Sequence, residues 1–178
     1  MESRLFTPAR LKNVVANDPR TSDPSRTRFY MRSADGGYER GPAFDPSHKL
    51  AGAGFLATAA DTARFGAALI GPSLLSGRSR GEMFRPVPLA DGTPTEFALG
   101  LRHSVQSGRL VLHQPGGGIG ISSWLFLYPR EQLAIALLAN LPTAPVGGAT
   151  HQQLADGFLR ALDPASTPKP SPPSKHAW

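Results

Sequence analysis

Residues 109–140 read RLVLHQPGGGIGISSWLFLYPREQLAIALLAN, and this stretch decides the fold. It contains three β-rich or apolar runs, RLVLHQ, SSWLFLYP and QLAIALLAN, separated by glycine, proline or charged residues. A fourth run, FALGLRHS, precedes them, and SGRL at residues 107–110 favours a hairpin turn. Successive strands joined by short links predict an antiparallel meander.

The last two runs are apolar at nearly every position, so both faces of this sheet should be covered. Upstream, a helix is predicted to begin after Thr58, with Asp61 at the capping-box position, and to end at Gly71. Further helices are predicted at residues 76–84 and 150–162, and the last of them is well placed to cover one face.

The two ends of the chain carry weaker patterns. Residues 1–49 are rich in Pro, Asp, Ser and Arg and predict loops, apart from a small hairpin that joins residues 28–33 to Tyr38 around Gly36 and Gly37. Residues 164–178, PASTPKPSPPSKHAW, predict a disordered tail. The expected organisation is therefore one domain over residues 1–163, followed by the tail.

Composition excludes several classes of protein. The chain has 178 residues, no cysteine and a formal net charge of +6. Without cysteine there is no disulfide framework and no thiolate nucleophile. The cations are scattered, so no nucleic-acid partner is predicted. No apolar run approaches the ~20 residues of a membrane span, and the first residues lack the apolar segment of a secretory signal. The localisation is therefore left open: cytoplasmic as the sequence stands, or exported if a signal precedes it.

General catalytic motifs are absent. Ser122 follows Gly120 in the manner of a nucleophile elbow, but Trp124 occupies the place of the final glycine. No lysine follows the glycine-rich stretch, as a phosphate-binding loop would require. The five histidines lack metal-ligand spacing, so neither a metal nor a cofactor is predicted.

The ordered set of segments is more informative than any one motif. Six segments follow one another along the chain, in this order: AGAGFLATAADTARFGAAL, LLS, MFRP, LGLRH, HQPGGGIGISSWLFLYP and LAIALLAN. This order resembles the C-terminal part of the serine β-lactamase-like superfamily, which includes class C β-lactamases, D-alanyl-D-alanine peptidases and related esterases. One branch of the superfamily holds the serine-β-lactamase-like protease of animal mitochondria and its bacterial relatives. Residues 29–66 look especially like this branch; they read FYMRSADGGYERGPAFDPSHKLAGAGFLATAADTARFG. The resemblance covers about residues 3–163.

The resemblance implies an α/β (α+β type) fold in which helices flank an antiparallel sheet, here incomplete. It also implies acyl transfer through a serine ester, in which a K-T-G or H-x-G strand forms one wall of the pocket and supplies an oxyanion amide. His113 matches the histidine of that strand and would line the pocket. Pro115 is either a substitution for the motif glycine or part of a one-residue insertion. Because proline has no N–H, the donor would be Gly116 or Gly117.

The family's other two motifs are missing from this sequence. The S-x-x-K pattern occurs only at residues 166–169, within the proline-rich tail, and no Y-x-N occurs. We therefore expect the C-terminal part of a β-lactamase-related hydrolase that acts on an amide, peptide, β-lactam or ester and is inactive as an isolated chain. Its partner would be the missing N-terminal half, or a second copy bound through an open sheet edge. The alternative is a non-catalytic binding or assembly module derived from that fold.

Overall fold

A four-stranded antiparallel sheet lies at the centre of the protein. The computed structural model describes residues 1–162 apart from residues 19, 22, 43, 44, 46, 47, 49 and 143, so the predicted tail lies outside the described residues. The elements are a π-helix (Glu2–Phe6), β1 (Val15–Ala16), β2 (Tyr30–Arg32), β3 (Tyr38–Arg40), α1 (Leu50–Ala53), β4 (Phe55–Leu56), α2 (Ala59–Ile70), α3 (Gly77–Phe84), β5 (Arg102–Gln106), β6 (Arg109–Gly118), β7 (Ile121–Tyr128), β8 (Leu133–Ala139) and α4 (Ala149–Leu162).

Strands β5, β6, β7 and β8 pair in chain order, which confirms the predicted meander. Two strand boundaries differ from the prediction. β5 begins only at Arg102, because Gly100 takes a left-handed conformation (φ 74°) that breaks the extended chain. β6 continues past Gln114 to Gly118, because β7 pairs with it to its last residue.

Helices α2 and α3 cover one face of the sheet. Thr58 caps α2 as predicted, since its hydroxyl accepts a hydrogen bond from the N–H of Asp61. The core on this face joins the end of α2 to alternate positions of β6 and β7; its buried residues are Leu69, Ile70, Leu101, Leu112, Leu125 and Leu127. Alternation along a strand places these positions on one side.

Helix α4 covers the other face, also as predicted. Its buried Ala155 and Leu159 pack against the opposite set of strand residues, which are Val111, Phe126, Tyr128 and Ile135. The sheet is therefore a central layer between helices, as the apolar character of β7 and β8 requires. No helix in the described part of the chain is both long enough and apolar enough to cross a membrane.

The N-terminal segment is more ordered than its composition predicts. β2 and β3 form the expected hairpin, whereas the π-helix and the pairing of β1 with β4 were not predicted. Asp61 holds this segment to α2. Its fully buried carboxylate accepts hydrogen bonds from the N–H groups of Lys12 and Asn13 and from Arg64. Burial alone would raise the pKa of Asp61, but these hydrogen bonds outweigh it and lower the pKa.

Gly66 sets the distance between α2 and the sheet. A Cβ added there would lie 2.7 Å from Leu127, 2.9 Å from Leu125 and 3.0 Å from Ala134. A helix can approach a sheet this closely only through a residue with no side chain, so Gly66 is required by packing.

We predict that Gly66→Ala lowers the free energy of unfolding by about 1–3 kcal/mol through overpacking. The matched control is Gly157→Ala in α4, where no atom lies within 4 Å of the added Cβ. This control should raise stability by up to about 1 kcal/mol, because alanine favours the helix. Urea denaturation followed by circular dichroism measures both. Equal stabilisation by the two substitutions would contradict the close approach of α2.

Candidate functional site

The second half of β6 has a neighbouring strand on one side only. β7 pairs with β6 as far as Gly118, but the last pair between β5 and β6 joins Arg102 to His113. The backbone of Pro115 and Gly117 therefore borders an edge of the sheet that no strand in the described part of the chain covers. We call residues 115–117 along this border the open edge.

The turn between β5 and β6 determines which β6 residues direct their hydrogen-bonding groups to that edge. Ser107 and Gly108 both have positive φ (49° and 75°), as in the two-residue turn whose flanking residues, Gln106 and Arg109, are hydrogen-bonded to each other. Hydrogen-bonding direction alternates along an antiparallel strand. Odd-numbered residues of β6 therefore face β5 or the open edge, and even-numbered residues face β7.

Two further observations agree with this alternation. The other turn of β6 consists of Ile119 and Gly120, so its flanking pair, Gly118 and Ile121, is also hydrogen-bonded, and Gly118 is an even-numbered residue. On β5, the N–H of His103 donates to the carbonyl of Glu96 at 2.7 Å, on the side away from β6. This is the direction that the alternation requires.

The alternation distinguishes the two candidate oxyanion donors. The N–H of Gly116 is directed to β7, where Ser123 is its partner residue, whereas the N–H and C=O of Gly117 are directed to the open edge. Pro115 also has its nitrogen on this edge, so its missing N–H costs no ladder hydrogen bond. The geometry therefore favours Gly117 over Gly116 as the available amide.

His113 lies on the face of the sheet that α4 covers. Its ring centroid is 5.8 Å from that of Trp124 and 6.0 Å from that of Phe126. Its Nδ1 is buried without a hydrogen-bond partner. Burial lowers the pKa of His113, and Arg102 lowers it further, while Glu96 partly offsets them. A neutral imidazole held in this way lines the open edge from the α4 side.

Gln114 was not singled out from the sequence, although it borders the same edge. It alternates with His113, so its side chain lies on the face covered by α2, where it is exposed. The period of two along β6 was the available signal. His113 and Gln114 thus flank the strand from opposite faces, four and three residues before Gly117.

Two glycines allow close packing at the end of β6 and in the turn that follows it. A Cβ on Gly116 would meet the hydroxyl of Ser123, and one on Gly120 (φ 68°) would meet Phe29 of the segment that leads into β2. Gly117, in contrast, has only the carbonyl of Ile121 at 4.0 Å from its Cβ position. Of these glycines, only Gly120 has a positive φ; Gly116 and Gly117 are strand residues.

The open edge can donate and accept hydrogen bonds, but it contains no activated nucleophile. Ser122 and Ser123 are the second and third residues of β7, one position later in the strand than predicted, and neither hydroxyl is hydrogen-bonded to a histidine or lysine in the described part of the chain. Among the same residues, no group of three or more His, Asp or Glu side chains is arranged to hold a metal ion.

We predict that the amide proton of Gly117 exchanges with solvent much faster than that of Gly116, because only the latter is hydrogen-bonded in the ladder. Gly117→Pro should accordingly leave the melting temperature nearly unchanged. Gly116→Pro should lower it by several degrees, because it removes a ladder hydrogen bond. Amide exchange by NMR and thermal unfolding provide the measurements. The opposite order of protection would reverse the assignment of the edge.

Comparison with solved structures places this sheet in a known fold. A D-stereospecific amidohydrolase from Streptomyces sp. matches with a TM-score of 0.68 and 22% identity over 88% of this chain and 46% of that chain. A penicillin binding protein from Bacillus halodurans gives 0.67, with 19% identity over 89% and 48%. A D-amino acid amidase from Ochrobactrum anthropi SV3 gives 0.67, with 20% identity over 92% and 52%.

The chain spans about half the length of these structures, so the central sheet and its helices are one part of a larger fold. None of the curated proteins matches the sequence. The family description Beta-lactamase matches residues 1–157, which is most of the chain. The predicted resemblance and the incomplete β-lactamase or penicillin-binding-protein fold are both confirmed, and the chain belongs to the Beta-lactamase family.

Proposed function

We propose that this chain is the part of an acyl-serine hydrolase that contributes the oxyanion strand. The observation that carries the proposal is the N–H of Gly117, which is directed to an edge that no described strand covers. A backbone amide held in a paired strand is fixed before the substrate binds. Such a donor stabilises the negative oxygen of a tetrahedral intermediate, and removal of one donor costs about 10²- to 10³-fold in rate.

The nucleophile of this hydrolase would come from a different segment. The only S-x-x-K pattern, at residues 166–169, lies outside the described residues and contains a proline. The structures that resemble the chain are about twice as long as the part it matches. In this proposal the chain is inactive until a segment with S-x-x-K and Y-x-N packs against it, in the same polypeptide or in another.

The substrate class of the proposed hydrolase is an amide, a peptide, a β-lactam or an ester. Two of the similar structures are named as a D-stereospecific amidohydrolase and a D-amino acid amidase, which makes small amides the first class to test. His113 and Gln114 would contact such a substrate from the two faces of β6.

Strand β8 is the surface through which the missing part, or a second copy, would bind. It is the last strand of the sheet, and its sequence LAIALLA has no charge and no proline to prevent further pairing. Leu154 and Phe158 of α4 are 41% and 59% exposed. The same surface supports the second candidate function, a non-catalytic assembly module.

A fluorophosphonate probe, which modifies activated serines, tests the hydrolase. The chain alone should not be labelled. A polypeptide in which a segment with S-x-x-K and Y-x-N completes the fold should be labelled and should hydrolyse D-amino acid amides. In that polypeptide Gly117→Pro should lower kcat about 10²- to 10³-fold.

Gly117→Ala is the matched control, because it keeps the N–H and its Cβ makes only an ordinary contact, 4.0 Å from the carbonyl oxygen of Ile121. It should retain most of the activity. Labelling of the chain alone, or equal activity of the proline and alanine variants, would contradict the proposal.

Light scattering after size exclusion separates the assembly module from the hydrolase. A chain that assembles through β8 is a dimer, and Leu138→Lys, at a position 39% exposed, should convert it to a monomer because a charge opposes strand pairing. Val105→Lys is the control, because Val105 is also exposed but lies on β5, at the other side of the sheet from β8. A monomer at all concentrations would reject self-association.

A further inference from the structure

A cluster of four rings lies between α4 and the sheet, next to the open edge. Trp124 and Phe126 are parallel, with ring centroids 5.2 Å apart. His113 contacts both, and His151 stacks on Phe126 with centroids 3.6 Å apart. His151 belongs to the first turn of α4, so this cluster joins the start of the helix to the middle of the sheet.

His151 is held there as a neutral ring. It is 2% exposed, and its Nε2 lies 2.6 Å from Oε1 of Gln106, a group that can only accept a hydrogen bond. Nε2 therefore carries the proton, and Nδ1 is buried without a hydrogen-bond partner. Protonation of Nδ1 would place a positive charge beside aromatic carbons, and the Gly148 backbone and Asp156 offset only part of the cost of its lost hydration.

The charged groups around His151 do not compensate such a charge. His113 faces it from β6, and Arg102, which pairs with His113, faces the cluster from β5. Trp124 and Phe126 are the contacts from β7 and are uncharged. Asp156 on α4 is the acid that favours protonation of His151. The start of a helix also disfavours a cation, because its free N–H groups carry partial positive charge.

The turn that precedes α4 packs directly against the indole ring of Trp124. A Cβ on Gly147 would lie 2.8–2.9 Å from three atoms of the indole ring. Trp124 is the cross-strand partner of Pro115, the first residue of the open edge, and Phe126 is the partner of His113. The start of α4 therefore supports the residues that hold the open edge in place.

We propose that the first turn of α4 is a proton-operated clamp on β6: neutral His151 closes it against Phe126 and Trp124, and protonated His151 releases it. The consequence for catalysis, a misplaced Gly117 amide, rests on the proposed function, whereas the clamp itself does not. The predicted opening is local, because α2 and α3 hold the other face of the sheet with a separate core.

The pH range follows from the difference between the pKa of His151 when α4 is packed on the sheet and its pKa when α4 is released. The pKa of His151 is lowered from 6.5 to about 4, mainly by burial; the Gly148 backbone and Asp156 offset part of the shift, and His113 adds to it. The clamp is at full strength above pH 6.5 and weakens as pH falls toward 4, because the released form binds the proton more tightly. Over that range the ratio of released to closed α4 should rise about 10²-fold.

Trp124 fluorescence and amide hydrogen exchange between pH 7.5 and 4 test the clamp. Trp178→Phe supplies the background, because it leaves Trp124 as the only tryptophan. We expect the emission of Trp124 to change and α4 to lose protection within this range, while α2 stays protected. His151→Phe, which keeps a ring against Phe126 but cannot bind a proton, should abolish both changes.

His103→Gln is the control, because this histidine is bonded to the carbonyl of Phe84 and lies outside the cluster. It should leave the transition in place. If His151→Phe does not fold, His151→Gln serves as the second variant with the same expected result. Loss of protection in α2 and α4 together, or an unchanged transition in the position-151 variants, would overturn the clamp. Neither readout uses a substrate, so failure of the proposed hydrolase would not produce these results.

Discussion

The backbone hydrogen bonds of β6 are shared unequally between its two neighbours. β7 accompanies β6 to Gly118, whereas β5 ends at the pair of Arg102 with His113. Every property of the candidate site depends on this difference. The paired side fixes the strand, and the unpaired side leaves the amide of Gly117 available at a defined position. A strand paired with neighbours on both sides would have no free N–H group to donate. A strand paired with no neighbour would not hold an N–H group at a fixed position.

The sequence predicted the elements whose pattern is local and repeated. The β-rich and apolar runs in residues 109–140 and the cap at Thr58 correspond to β6, β7, β8 and α2 in the structure. It did not predict β1, which has two residues and exists only because β4 pairs with it. Nor could it predict that Asp61 binds the backbone of Lys12 and Asn13, because those residues are 48 and 49 positions away.

The candidate site was also predictable only in its local features. The glycine-rich stretch identified the strand, and proline chemistry reduced the donors to Gly116 and Gly117. The choice between the two needed the turn at Ser107 and Gly108, because one residue of displacement reverses every hydrogen bond along a strand. Gln114 was overlooked, although the alternation of side chains along a strand already placed it on the face opposite His113. Composition and motif therefore indicated the segment of the candidate site, and strand pairing distinguished between its two candidate amides.

Pro115 also bears on what can bind beside it. A foreign strand that added along β6 would find a carbonyl but no N–H at residue 115, and would lose one ladder bond where the edge begins. The edge is thus a poor template for another protein chain, yet it still offers the donor and acceptor of Gly117 to a ligand only a few atoms long. The pyrrolidine ring of Pro115, which replaces the backbone amide hydrogen, therefore opposes aggregation through β6 and still leaves Gly117 available to a small molecule.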